Sequence, residues 1–291
     1  MRTTSVVPPL PPALLWEPLL RRALREDLGR AGDLTTDAIV PPALAARAAI
    51  VARRAGRIAG LAISSAAFRL LDPSVAVDLA LADGSDAEAG ARLATVRGPA
   101  RAILTGERTC LNLLGRLCGV ATATRDLVAA VRGERARIVC TRKTTPGLRA
   151  LEKYAVRCGG GENHRFGLDD AVLIKDNHIA LAGGVEPAVE RVRRAVGHLV
   201  KVEIEVDSLA ELERVLALPP PAVDAVLLDN MDVATLRQAV RMVGGRLLTE
   251  ASGGVTPQNV RAIAATGVDL ISVGWITHSA PALDVALDVE A

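Results

Sequence analysis

The sequence predicts an α/β chain, with a barrel of parallel strands in its C-terminal part and a smaller α+β domain before it. Three observations carry this. From about residue 136, apolar runs that each end in a polar residue recur with helical segments between them. The end residues of six runs, Arg142, Lys175, Glu205, Asp229, Ser252 and Gly274, are separated by 33, 30, 24, 23 and 22 positions, the length of a βα unit. The chain before that point has a different texture, with short alternating runs broken by Gly and Asp turns.

Taken in order, residues 1–15 form a proline-punctuated tail. The segment EPLLRRALREDLG follows, with Leu19, Leu20, Ala23 and Leu24 on one helical face. ARAAIVARRAGRIAGLAI and VAVDLALADGSDAEAGARLATVRG read as short strands with turns, so residues 16–118 are assigned to the α+β domain. ILTGERTCLNLLGRLCGVATATRDLVAAV has long helical periodicity and marks the passage into residues 119–278, the barrel domain, with residues 279–291 as a segment that could return to the first.

Continuous apolar strands alternating with helices need a parallel sheet covered on both faces. An open doubly wound sheet shares the repeat, but it concentrates its site at one switch point. Here nearly every run ends in a functional type of residue, which fits the C-terminal mouth of a barrel. Only six strands are clear, so the barrel falls short of eight or closes irregularly.

Composition narrows the function. The chain has 291 residues, half of them hydrophobic, and no apolar run long enough to span a bilayer without charge. Prolines break the N-terminal stretch where a signal peptide needs an apolar helix, so a cytoplasmic protein is expected. A net charge of +2 and 2% aromatic residues provide neither a basic face nor stacking platforms, which argues against nucleic acid as partner. Cys110, Cys118, Cys140 and Cys158 form no CxxC pair and no zinc spacing, and are expected to be reduced and buried. Of 35 basic residues only four are lysines, which makes Lys143, Lys153, Lys175 and Lys201 stand out against 31 arginines. Lys153 reads as a helix-face residue and Lys201 as a strand start, and neither needs a functional reason.

The predicted mouth gathers Arg142, Lys143, His164, Arg165 and Lys175 with two acids, Glu205 and Asp229. Arginine forks grip carboxylates or phosphates bidentately and lysines neutralise them, so the site is built for a polyanion. Ser252, Gly253 and Gly254, with Gly274 on the next strand, suit phosphate binding by backbone N–H groups at strand ends. Acids among so many cations have two readings. They hold magnesium carried by a phosphorylated substrate, with Glu205 and Asp229 as ligands, or they pair with Arg or Lys across the barrel.

The blocks TRKTTPGLR, EKYAVRCGGGENHR and VLIKDNH resemble quinolinate phosphoribosyltransferases. So do EDLGRAGDLTTDAI, GERTCLNLLGRLCGVAT, VEIEVDS, VLLDNM, EASGGV and ISVGWITHSAPALDVAL, which makes the likeness cover nearly the whole chain. The resemblance implies a small N-terminal α/β sandwich, an incomplete barrel, and a homodimer with shared sites. It implies transfer of phosphoribosyl from phosphoribosyl pyrophosphate to quinolinate with magnesium, yielding nicotinate mononucleotide, pyrophosphate and carbon dioxide. By motif, Thr141, Arg142, Lys143, His164, Arg165 and Lys175 match the dicarboxylate pocket, and Arg108 matches a residue supplied by the neighbouring subunit. Glu205 and Asp229 match positions near ribose and magnesium. Ser252, Gly253, Gly254, Ser272, Gly274 and His278 match the phosphate turns. The catalytic expectation rests on Lys143, Lys175, Glu205 and Asp229.

Three features depart from that pattern: Trp275 after Gly274, the stretch ALPPPA, and the proline-rich tail. Other readings stay open, namely a related transferase with another acceptor, a Schiff-base aldolase through Lys175, or a non-catalytic binder of dicarboxylates or phosphosugars.

Overall fold

The computed structural model describes residues 8–220 and 222–290, so Met1–Val7 of the tail and Pro221 of ALPPPA lie outside the described residues. The chain forms two compact units. One comprises Met1–Arg125, Thr144–Gly160 and Trp275–Ala291, and the other Asp126–Lys143 and Gly161–Gly274. Among the described residues no helix is long and apolar enough to cross a membrane.

The first unit holds strands β1 (Ala45–Ala52), β2 (Gly56–Arg57), β3 (Ala76–Leu79), β4 (Asp86–Ala87) and β5 (Arg92–Pro99). The predicted helix forms over Glu17–Leu28, with Pro18 in its first turn and Leu20 and Leu24 buried. The helix Ala100–Ala130 then runs unbroken, so the expected boundary at 118/119 falls inside it. Gly115 and Gly119 lie one turn apart within it. A Cβ on Gly119 would stand 2.1 Å from the Pro281 carbonyl oxygen, and one on Gly115 2.8 Å from that of Leu283. The Leu283 N–H donates to the Gly115 carbonyl at 2.9 Å. Each glycine costs about 1 kcal/mol of helix propensity, and in return the chain backbone lies directly on the helix. That docking delivers β12 (Val285–Glu290) antiparallel to β1, in a sheet of order β12-β1-β5-β3.

The segment Thr144–Gly160 joins this unit through buried charge. Glu152, fully buried on the helix Arg149–Cys158, accepts from Arg116 at 2.7 Å and from the Thr145 hydroxyl at 2.7 Å. Arg116 also donates to the carbonyls of Ala280 and Thr277. A buried pair held by this many hydrogen bonds specifies where the helix sits. Lys153, read from sequence as a helix-face residue, is 1% exposed. A period-3.6 pattern separates faces only where one of them meets water, and both faces of this helix are covered.

The second unit is a parallel sheet of order β6-β11-β10-β9-β8-β7. Its strands are β6 (Arg137–Val139), β7 (Val172–Ile174), β8 (Val202–Val206), β9 (Ala225–Asp229), β10 (Leu248–Ser252) and β11 (Leu270–Ser272). All six predicted strands form, and the edge strands β6 and β7 are not hydrogen-bonded to each other, which leaves the barrel incomplete. β8 alternates, with Val202, Ile204 and Val206 buried while Glu203 and Glu205 share the other face. The inner face of this sheet is therefore polar.

Candidate active site

The C-terminal strand ends carry the residues that the spacing selected. Asp229 and Ser252 close β9 and β10 in direct register. Lys175 follows β7, Glu205 is the last but one residue of β8, Arg142 lies three residues past β6, and Gly274 two past β11.

Lys175 and Glu205 form an ion pair across neighbouring strands. The pairing reading of Glu205 is thus realised, with the lysine side chain 45% exposed and the glutamate 13%. The Lys175 backbone N–H donates to Nδ1 of His178 at 2.9 Å, so His178 caps the helix Asp176–Ala182 and fixes where the chain leaves β7. After β6 the Thr141 hydroxyl accepts the Lys143 backbone N–H at 3.0 Å and shapes that turn, leaving Lys143 exposed.

Arg142 and Arg165 are close enough to repel. Burial, and then the positive charge of Arg142, hold the Arg165 guanidinium below its ordinary value, while Glu203 and Asp170 pull the other way. Two half-buried cations side by side suit an anion with more than one negative charge.

His164 lies among acids. Its Nδ1 accepts the backbone N–H of Arg165 at 2.7 Å, which turns Nε2 to Glu203 at 2.9 Å. Glu250 Oε1 is 3.6 Å from the same nitrogen. The three side chains have the spacing of a metal site, their donor atoms within 4.8 Å of one another. Burial pushes the Glu250 carboxyl up to about 7, Glu203 adds to the push, and His164 and Ser272 oppose it. A cavity of about 550 Å³ borders this cluster, lined by Arg135, Arg165, Lys201, Asp224 and Arg246 together with the starts of strands β7 to β11. Lys201 is exposed and paired with Asp224 at 2.6 Å, as befits a surface strand start.

In the turn after β10, Gly253 and Gly254 have φ of +94° and +59°, and both are exposed. Ser272 is buried, its hydroxyl donating to the Ala251 carbonyl at 3.4 Å, so it braces β10 and β11. Arg108 and His278 belong to the first unit. Arg108 is exposed on the helix Ala100–Ala130, and His278 lies 2.5 Å from the Ser279 hydroxyl. The Trp275 indole N–H is buried with no hydrogen-bond partner among the described residues.

All four cysteines are buried and free. Burial pushes the Cys118 and Cys158 thiols up to about 12 and that of Cys110 higher still, which removes all three as nucleophiles. Sequence reasoning missed Glu203, Glu250 and Asn230. The first two had a signal, since Glu203 and Glu205 in VEIEV, and Glu250 and Ser252 in TEAS, are two apart and share a strand face.

Comparison with known proteins identifies the family. Residues 33–118 match the model of the N-terminal domain, and residues 120–288 that of the C-terminal domain, of quinolinate phosphoribosyl transferase. The chain is 44% identical to a probable nicotinate-nucleotide pyrophosphorylase [carboxylating] of Bacillus subtilis, over 93% of this chain and 92% of that one. Its identity to the corresponding protein of Mycobacterium leprae is 46%, over 93% and 95%. Among solved structures, NadC from Streptococcus pyogenes superposes with a TM-score of 0.91 at 37% identity, covering 98% of this chain and all of that one.

Proposed function

Because the chain belongs to the quinolinate phosphoribosyl transferase family, we infer that it moves phosphoribosyl from phosphoribosyl pyrophosphate to quinolinate with decarboxylation. This is the step that yields nicotinate mononucleotide for NAD biosynthesis. The observation that carries the choice of acceptor is the pair of neighbouring half-buried guanidiniums, Arg142 and Arg165, with Lys175 on the next strand end. One carboxylate leaves such a pocket overcharged, and two adjacent carboxylates neutralise it.

In this reading the pyridine nitrogen attacks the anomeric carbon as pyrophosphate departs, and the cations hold ring and ribose in line. Such alignment is worth up to about 7–11 kcal/mol in favourable cases. The exposed backbone of Gly253 and Gly254 takes a phosphate. Once the ring nitrogen is quaternary, the bond from the ring to the carboxylate beside it breaks, the electron pair stays on that carbon, and a proton replaces the carbon dioxide lost. Lys175, freed from Glu205 by the anionic substrate, steadies the carboxylate that remains.

Magnesium fits as a substrate-borne ion. Asp229 is a half-exposed carboxylate with one oxygen held by Asn230, which leaves a hard oxygen for a cation that pyrophosphate already holds. Glu205 joins it only when Lys175 lets go. The ion, when bound, offsets charge on the departing pyrophosphate. We further read the protein as a cytoplasmic homodimer in which the exposed Arg108 serves the partner's site, a reading supported by the family resemblance and by the helix position of that residue.

Steady-state assays with each acceptor test the assignment. Quinolinate is expected to exceed nicotinate in kcat/KM by at least a hundredfold, since nicotinate brings one carboxylate to neighbouring guanidiniums that suit two. Equal efficiency with both acids would overturn it.

A further inference from the structure

We propose that Asn230 is a positioning residue for phosphoribosyl transfer, its amide holding the Asp229 carboxylate against the Gly253 phosphate turn. This rests on the reading of Asp229 as the carboxylate facing ribose and magnesium. Among the described residues Asn230 is the one non-glycine with positive φ, at +53°. Asparagine enters that region more readily than other side chains, but the conformation still carries strain, and such strain concentrates at functional positions.

Three contacts hold it there. Its backbone N–H donates to the Ser252 carbonyl at 2.9 Å, one step beyond the register that pairs Asp229 with Ser252. Its Nδ2 donates to Asp229 Oδ2 at 2.6 Å. Its Oδ1 lies so close to Gly253 that a Cβ there would stand 2.1 Å from it and 2.7 Å from its Cγ. The amide thus stands between the acid and the turn, donating to the first and occupying the space that a side chain on the second would need. An aspartate in its place would set two carboxylates at hydrogen-bond distance, and a glycine would keep the backbone and lose the donor.

That contrast separates positioning from a merely structural turn. A structural turn predicts that Asn230→Gly is as good as wild type or better, because glycine relieves the strain. Positioning predicts that Asn230→Gly keeps or raises the Tm yet loses tenfold to a hundredfold in kcat, the scale of small misplacements, with KM for quinolinate within threefold. Asn230→Asp is expected to fall further. In an Asp229→Asn background, Asn230→Gly is expected to cost less than twofold, because the group it positions is gone. Wild-type kcat in Asn230→Gly, or additive losses in the double variant, would overturn the proposal while leaving the role of Asp229 intact. Full activity in Asp229→Asn alone would overturn the placement of Asp229 and the proposal with it.

Discussion

Lys175→Ala is expected to lower kcat/KM for quinolinate about a hundredfold to a thousandfold, the usual cost of deleting one preorganised charge from an active site. The lysine sits just past β7 with its side chain 45% exposed, so it adds charge to the mouth and little to the core. Its loss leaves Glu205, 13% exposed, without its counter-charge in a site that must admit an anion. Two effects then act in the same direction, since a cation is missing and an unneutralised carboxylate repels the substrate. Lys175→Ala with Glu205→Gln is therefore expected to recover part of the affinity but not the rate. Lys201→Arg serves as the control. Its partner Asp224 lies at the far end of the strands, and the swap should leave kinetics within twofold. Steady-state kinetics alongside circular dichroism check this, and a folded Lys175→Ala protein with most of its activity would place the mouth of the barrel elsewhere.

The second large effect is on stability. Glu250 is 1% exposed, and its folded-state value is raised from 4.5 to about 7. The folded protein holds a proton there that the unfolded chain releases above pH 4.5. Stability from this group is complete below about pH 4.5, declines as pH rises, and is lost above about 7. A difference of that size corresponds to roughly 3 kcal/mol. Glu250→Gln copies the neutral carboxyl at every pH, so it is expected to match wild type near pH 4.5 and to unfold at a higher temperature near pH 8. Melting both proteins across that range is the check. Parallel profiles would mean that Glu250 is charged in the fold, with His164 and Glu203 arranged otherwise than described.

Much of this was legible in the sequence, for a definite reason. A strand buried on its outer face writes its length in apolar residues and its end in the first polar one, which is how Asp229 was placed at the close of β9. The spacing of such ends then fixes the βα repeat. Contacts across the sheet leave no such trace. Nothing in the order of residues says that Nδ1 of His164 takes its neighbour's N–H while Nε2 meets Glu203. The helix Ala100–Ala130 carries its periodicity through Gly115 and Gly119, and nothing in that periodicity says that their small size serves the docking of Pro281–Leu283. Thr144–Gly160 joined the first unit through Arg116 and Glu152, a pair 36 residues apart that composition cannot match up. Asn230 carried no signal either, since DN at a strand end is ordinary until its φ is known.

The most direct test of the central claim uses quinolinate labelled in the carboxyl group beside the ring nitrogen, with magnesium and phosphoribosyl pyrophosphate. The account predicts one labelled carbon dioxide and one pyrophosphate for each nicotinate mononucleotide, and no carbon dioxide when phosphoribosyl pyrophosphate is omitted, because the ring accepts the electron pair only after its nitrogen is alkylated. Carbon dioxide released without the phosphoribosyl donor, or a nucleotide product retaining both carboxylates, would contradict it.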